Sequence, residues 1–175
     1  MRFLRPFLSA AVLLAAALPA TAQQPENGPE FFGDWGFRCA APEAEAEATP
    51  RQCEIFQTLI TSEGEQQLLH FAIGYVAEVE RPVGVVVVPL GVTLPPGIAV
   101  RVDEEEPMEF DYNRCDQQGC RIELLIGEDL IEQMRAGNQM VVAIVNGQGE
   151  RIGIPVSLIG FTRAITTLTE SRQAG

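Results

Sequence analysis

Residues 84–97, GVVVVPLGVTLPPG, form the longest uncharged apolar run outside the N-terminus. The four consecutive valines from Val85 to Val88 disfavour a helix, because β-branching restricts χ1 against the preceding turn, and the surrounding prolines and glycines prevent a longer element. The run predicts a strand buried on both faces, at the middle of the core. A chain built on such a strand must supply partner strands, and short alternating segments recur on either side of it.

In Gly33-Asp34-Trp35-Gly36-Phe37-Arg38-Cys39, the side chains of Trp35, Phe37 and Cys39 fall on one face and Arg38 on the other, which predicts a half-buried strand. Residues 52–60 and 68–75 read as two strands joined by a glycine-containing turn. Ile98, Val100 and Val102 alternate with Ala99, Arg101 and Asp103, Met108, Phe110 and Tyr112 alternate with Glu109 and Asp111, and the charged turn Glu104-Glu105-Glu106-Pro107 joins them into a second hairpin. Residues 113–120 read as a tight turn closed by its own cysteines, leading into a strand with Cys120, Ile122, Leu124 and Ile126 on one face. Residues 140–145 and 151–158 flank Asn146-Gly147-Gln148-Gly149 and give the clearest hairpin. In its second strand Ile152, Ile154, Val156 and Leu158 point inward and Pro155 outward, as near a sheet edge.

Two short helices complete the pattern. Residues 127–137 carry Asp129 near the start, a stripe of Leu130, Ile131 and Met134, Arg135 in the last turn and Gly137 at the C′ position. Phe161, Ile165 and Leu168 fit one face of a terminal helix. The expected fold is all-β: an antiparallel β-sandwich or flattened barrel of about eight strands, with one short inserted helix and a short C-terminal helix. The expected organisation is a signal peptide at 1–22, a flexible tether at 23–31, a single domain at 32–168 and a frayed tail at 169–175.

The leader rests on Arg2 and Arg5, an apolar segment from Ala10 to Leu18 and the small-residue pattern Ala20-Thr21-Ala22. This is the layout of a Sec-type signal with cleavage after Ala22, too short to span a bilayer. The product is expected in the periplasm or secreted. Of the 12 basic residues two lie in the leader, leaving ten against 24 acidic ones, a formal charge of about −14. Such a surface repels phosphate backbones and anionic lipid heads, so nucleic acid is excluded as a natural partner.

Four cysteines, Cys39, Cys53, Cys115 and Cys120, in an exported chain read as two disulfides. Three pairings exist, and the sequential one, Cys39 with Cys53 and Cys115 with Cys120, is favoured. In the chain-entropy picture a loop of roughly 15 residues contributes about 3 kcal/mol and one of roughly 6 about 2 kcal/mol. A four-cysteine zinc site is disfavoured because no Cys-x-x-Cys knuckle is present. The same lack argues against catalytic disulfide exchange. The acidic segment from Ala40 to Arg51, with its Glu-Ala repeat, reads as a solvated loop gathered at its base by the first pair.

No constellation spells a reaction, and no catalytic residue, cofactor site or metal site is assigned. The single histidine, His70, sits on a strand opposite Leu69, Phe71 and Ile73, and a lone histidine without named partners reads as structural. No Gly-x-Ser-x-Gly elbow, P-loop or dinucleotide fingerprint is present. The acidic turn at 103–106 lacks the glycine-spaced ligands of an EF-hand. Trp35 is a conceivable sugar-stacking platform, but its place beside Phe37 and Cys39 favours core packing. Two readings follow: a non-enzymatic binding protein with a protein or glycan partner, and a secreted hydrolase using paired carboxylates on glycan or peptidoglycan.

Several segments in order carry a family resemblance. Phe32-Gly33-Asp34-Trp35 precedes Cys39, and Cys53-Glu54 follows. Then come Val88-Pro89-Leu90-Gly91-Val92 with Leu94-Pro95-Pro96-Gly97, Tyr112 with Cys115 and Gly119-Cys120, and Pro155-Val156-Ser157-Leu158 with Gly160-Phe161. Together they resemble the invasion-associated locus B family of exported bacterial proteins, over nearly all of the mature chain. The resemblance implies an alphaproteobacterial source, a place in the periplasm or cell envelope, and an association with virulence through host-cell entry in the pathogens that gave the family its name; a general envelope role fits equally. It supplies no catalytic residues.

Overall fold

The structure is a computed structural model and describes residues 28–40, 52–64, 66–77 and 79–173. The expected signal peptide, nearly all of the acidic loop at 40–51 and the last two residues lie outside the described residues.

Eleven strands and two helices are present among the described residues, in the order β1 (Glu30–Phe32), β2 (Trp35–Cys39), β3 (Cys53–Ile60), β4 (Gln67–Gly74), β5 (Val83–Val88), β6 (Ile98–Val102), β7 (Met108–Phe110), β8 (Arg114–Asp116), β9 (Gly119–Leu125), α1 (Glu128–Ala136), β10 (Gln139–Val145), β11 (Arg151–Ser157) and α2 (Phe161–Gln173). They form a seven-stranded sheet in the order β1-β2-β3-β4-β5-β9-β8 and a four-stranded sheet in the order β11-β10-β6-β7. Every pairing is antiparallel. The architecture is an open sandwich and not a closed barrel. Inward residues of both sheets, among them Ile55, Phe71, Val86, Ile122, Val100 and Val142, share one core with Leu130 and Met134 of α1 and Phe161, Ile165 and Leu168 of α2.

The three expected hairpins form, as β3–β4, β6–β7 and β10–β11, and β11 is an edge strand with Pro155 exposed. The valine run differs from expectation. It is central, lying between β4 and β9, but it is not buried on both faces: Gly84, Val86 and Val88 are buried while Val83, Val85 and Val87 are only half-buried. Consecutive valines suit a strand sandwiched between two layers, and among the described residues only one layer packs on it. The strand also ends at Val88. The rest of the run is a loop fastened to β10, where the Thr93 N–H donates to Val145 O at 2.8 Å and Thr93 Oγ1 donates to Asn146 O at 2.8 Å.

Other boundaries shift for identifiable reasons. The expected tether at 23–31 contains the start of β1, which pairs with β2 through a turn that needs the left-handed Gly33, φ 60°. Residues 113–120 contain β8, so the cysteine-closed turn is the tip of a hairpin, and Tyr112 lies outside β7. These extra strands raise the count above the expected eight.

The tail expected to fray from Thr169 is helical to Gln173. Tyr75 Oη lies 3.3 Å from Thr169 Oγ1, the Arg172 guanidinium sits 4.4 Å from the Tyr75 ring centroid, and Arg172 Nη1 donates to Glu80 O at 2.5 Å. Gly137 is not left-handed (φ −81°). It is required because a Cβ there would lie 2.5 Å from Val102 Cγ1. Ile152, expected inward, is 42% exposed at the open end of β11.

Candidate functional site: the open face of the large sheet

One face of the seven-stranded sheet belongs to the core; the other is open among the described residues. Antiparallel register places Arg38, Glu54 and Gly74 in one row across it, Gly36, Phe56, Ala72 and Val85 in the next, and Thr58, His70, Val87 and Arg121 in a third. A groove of about 550 Å³ runs over this face, floored by Ala72, Gly74, Val83, Val85 and Val87, with Arg38, Glu54, His70 and Arg121 among its walls. Small residues in the middle rows hollow the surface and the outward valines make its floor apolar. Gly36 is part of this packing, since a Cβ there would lie 2.6 Å from the Phe56 ring.

The polar walls are mutually satisfied. Arg38 forms an ion pair with Glu54, its Nε donating to Glu54 Oε1 at 2.6 Å, while its guanidinium lies 4.4 Å from the Phe56 centroid. Arg121 pairs with Glu123 at 3.0 Å. Half-exposed pairs like these contribute at most about 1 kcal/mol and serve chiefly to hold the side chains flat against the sheet. His70 Nδ1 lies 2.8 Å from Thr58 Oγ1, its direct cross-strand partner, and its ring is 5.9 Å from Phe56. Burial holds the imidazole below its ordinary pKa; nearby Glu54 opposes the shift and Arg38 adds to it. The imidazole shares one hydrogen bond with the threonine hydroxyl and completes a polar patch beside an apolar floor.

The cysteines flank this face. Cys39 is joined to Cys53 and Cys115 to Cys120, each pair directly opposite across neighbouring strands, so each bond reinforces a ladder already in register. Trp35 is fully buried. Its Nε1 donates to Ser157 O at 2.9 Å and its ring meets Phe71 and Phe161 edge-on at 5.7 and 5.2 Å, so it is a core residue and not a platform. Asp103 of the acidic turn accepts the N–H groups of Asn138 and Gln139, at 3.0 and 3.1 Å, and ties the α1–β10 junction to the end of β6. Among the described residues no group of three or more metal-ligating side chains comes together. Among the described residues one carboxylate, Glu54, lines the groove, and those residues do not assemble a glycosidase-type pair there.

Gln57 is the residue that the sequence pattern left unnoticed. It is buried, at 5% exposure, and its amide clasps Ser157 of the other sheet. The available signal was its parity: it shares the inward face with Ile55 and Leu59.

The profile of the invasion associated locus B (IalB) proteins matches residues 35–169. The chain belongs to the IalB family. Among solved structures, this IalB chain is similar to the crystal structure of invasion associated protein B from Bartonella henselae, with a TM-score of 0.72 and 19% sequence identity, covering 84% of this chain and 98% of that one. At that identity the likeness shows a shared fold. A search of curated proteins found no match. Among the described residues, no helix of this IalB protein is long and apolar enough to cross a membrane.

Proposed function

We propose that this IalB protein is an exported, disulfide-stabilised binding protein of the bacterial envelope, acting without catalysis, its signal peptide at 1–22 removed on export. The observation that carries the reading is the open face of the large sheet, where a groove with a valine floor and walls of paired charges is left uncovered among the described residues. Natural sheets usually cover or charge such faces, and an uncovered, half-apolar one points to a partner. The family supports a setting in the envelope or at a host-cell surface. The groove's titratable groups favour binding over chemistry: Arg38 and Glu54 satisfy each other, and His70 is engaged with Thr58.

The purified oxidised mature chain tests this in two assays. Capture from envelope extracts is expected to retain a defined partner, whereas incubation with peptidoglycan and glycans is expected to release no products. Turnover lost on Glu54→Gln or His70→Gln substitution would replace this reading with the hydrolase.

A further inference from the structure

Gln118 belongs to the wall of the groove and also to a second, smaller depression of about 340 Å³. That depression is lined by Gln66 just before β4 and Gln67 at its first position, Pro89 and Leu90 just past β5, and Gln117 and Gln118 from the β8–β9 turn. The four glutamines are exposed, and Leu90 is 58% exposed. Among the described residues their side-chain amides have no hydrogen-bond partner; the bonds at Gln66 and Gln118 are made by backbone N–H groups, to Thr61 Oγ1 and Asp116 Oδ1. None of the lining residues carries a charge, in a chain whose formal net charge is −12.

We propose that this cleft binds a neutral glycan. A glutamine amide offers a donor and an acceptor side by side, the complement of adjacent sugar hydroxyls, and four such groups converge here from three segments. Pro89 and Leu90 provide an apolar surface for the C–H face of a sugar ring. The described lining residues offer an ionic ligand no charged side chain to pair with. An extended peptide is the poorer fit, because peptides are captured through unpaired backbone groups of a strand edge and these walls are side-chain amides at the ends of strands. The volume lies within the range of small-ligand sites. The Cys115–Cys120 bond fixes the hairpin whose tip presents Gln117 and Gln118. The inference rests on the binding-protein reading above and names a ligand class for one end of the open face.

The test is a titration of the ¹⁵N-labelled oxidised mature chain with maltohexaose and with the N-acetylglucosamine hexamer. Parallel titrations use an oligogalacturonate and an uncharged Ser/Ala peptide. At least one neutral oligosaccharide is expected to shift the side-chain amide signals of Gln117 and Gln118 saturably. Q117A/Q118A and Leu90→Ser are each expected to weaken binding about tenfold, the loss of one or two hydrogen bonds or of the apolar contact, while Glu132→Ala, exposed on α1 past the opposite end of β9, leaves it unchanged. No saturable shift with either neutral sugar, saturation by the peptide or the oligogalacturonate alone, or binding indifferent to both cleft variants would overturn the proposal. Envelope capture that persists through such a failure leaves the binding-protein reading standing without this ligand.

Discussion

The side-chain amide of Gln57 on β3 clasps the backbone of Ser157 on β11: Nε2 donates to Ser157 O at 3.1 Å and Oε1 accepts the Ser157 N–H at 3.0 Å. One buried side chain thus joins the seven-stranded sheet to the edge of the four-stranded one, and Trp35 Nε1 donates to the same carbonyl. Gln57→Ala is expected to destabilise the protein by about 2 kcal/mol, because it strands the Ser157 amide as well as losing the bonds. Gln57→Glu is expected to cost at least as much, by turning a buried carboxylate toward a carbonyl. Urea midpoints of the two variants check this; a loss below about 0.5 kcal/mol for both would show that the clasp is not a structural join.

Removing the disulfides one at a time should give unequal losses. C39S/C53S opens the longer loop and is expected to cost about 3 kcal/mol, against about 2 kcal/mol for C115S/C120S. Non-reducing peptide mapping by mass is the companion measurement, and a fragment linking Cys53 to Cys115 would contradict the pairing on which both figures rest.

Gly137 offers a test that separates steric need from backbone freedom. Its φ of −81° is open to any residue, so Gly137→Ala ought to gain stability if conformation alone mattered. The closeness of Val102 Cγ1 to the added methyl predicts instead a loss of about 1–3 kcal/mol. Relief of that loss by Val102→Ala in the double variant, measured as a coupling in thermal or urea unfolding, is the expected signature.

His70 gives a pH dependence of known sign. Burial lowers its pKa in the folded state below the ordinary 6.5, so on acidification the unfolded chain takes up this proton first. Stability therefore falls as pH drops through about 6.5, and the loss levels off once the folded state is protonated too. His70→Gln should flatten this step. Urea midpoints between about pH 7.5 and 5 decide it: equal slopes for both proteins would mean that the imidazole is not held neutral in the groove.

Local patterns made much of this fold legible. Alternation in residues 151–158 gave the edge strand and its outward proline, and the stripe of Leu130 and Met134 gave α1. What alternation cannot carry is register between distant segments. The pairing of β5 with β9 across β6, β7 and β8 brings Val87 beside Arg121 and so adds Arg121 to the groove wall. Gln66, Pro89 and Gln118 belong to three connections that no spacing rule links, so their convergence became visible only in the assembled sheet. Alternation sets His70 on the face opposite Leu69 and Phe71, but its Thr58 partner depends on the β3–β4 register.

The central claim is that partners bind on the open face of the large sheet. The most direct measurement is the affinity for the captured envelope partner of the wild-type mature chain against two variants, Val85→Glu at the groove floor and Arg38→Glu at its wall, with circular dichroism establishing that each is folded. The account predicts that at least one folded variant loses binding by tenfold or more, while Arg151→Glu on the far edge of the other sheet does not. Equal affinity for all four proteins would contradict it.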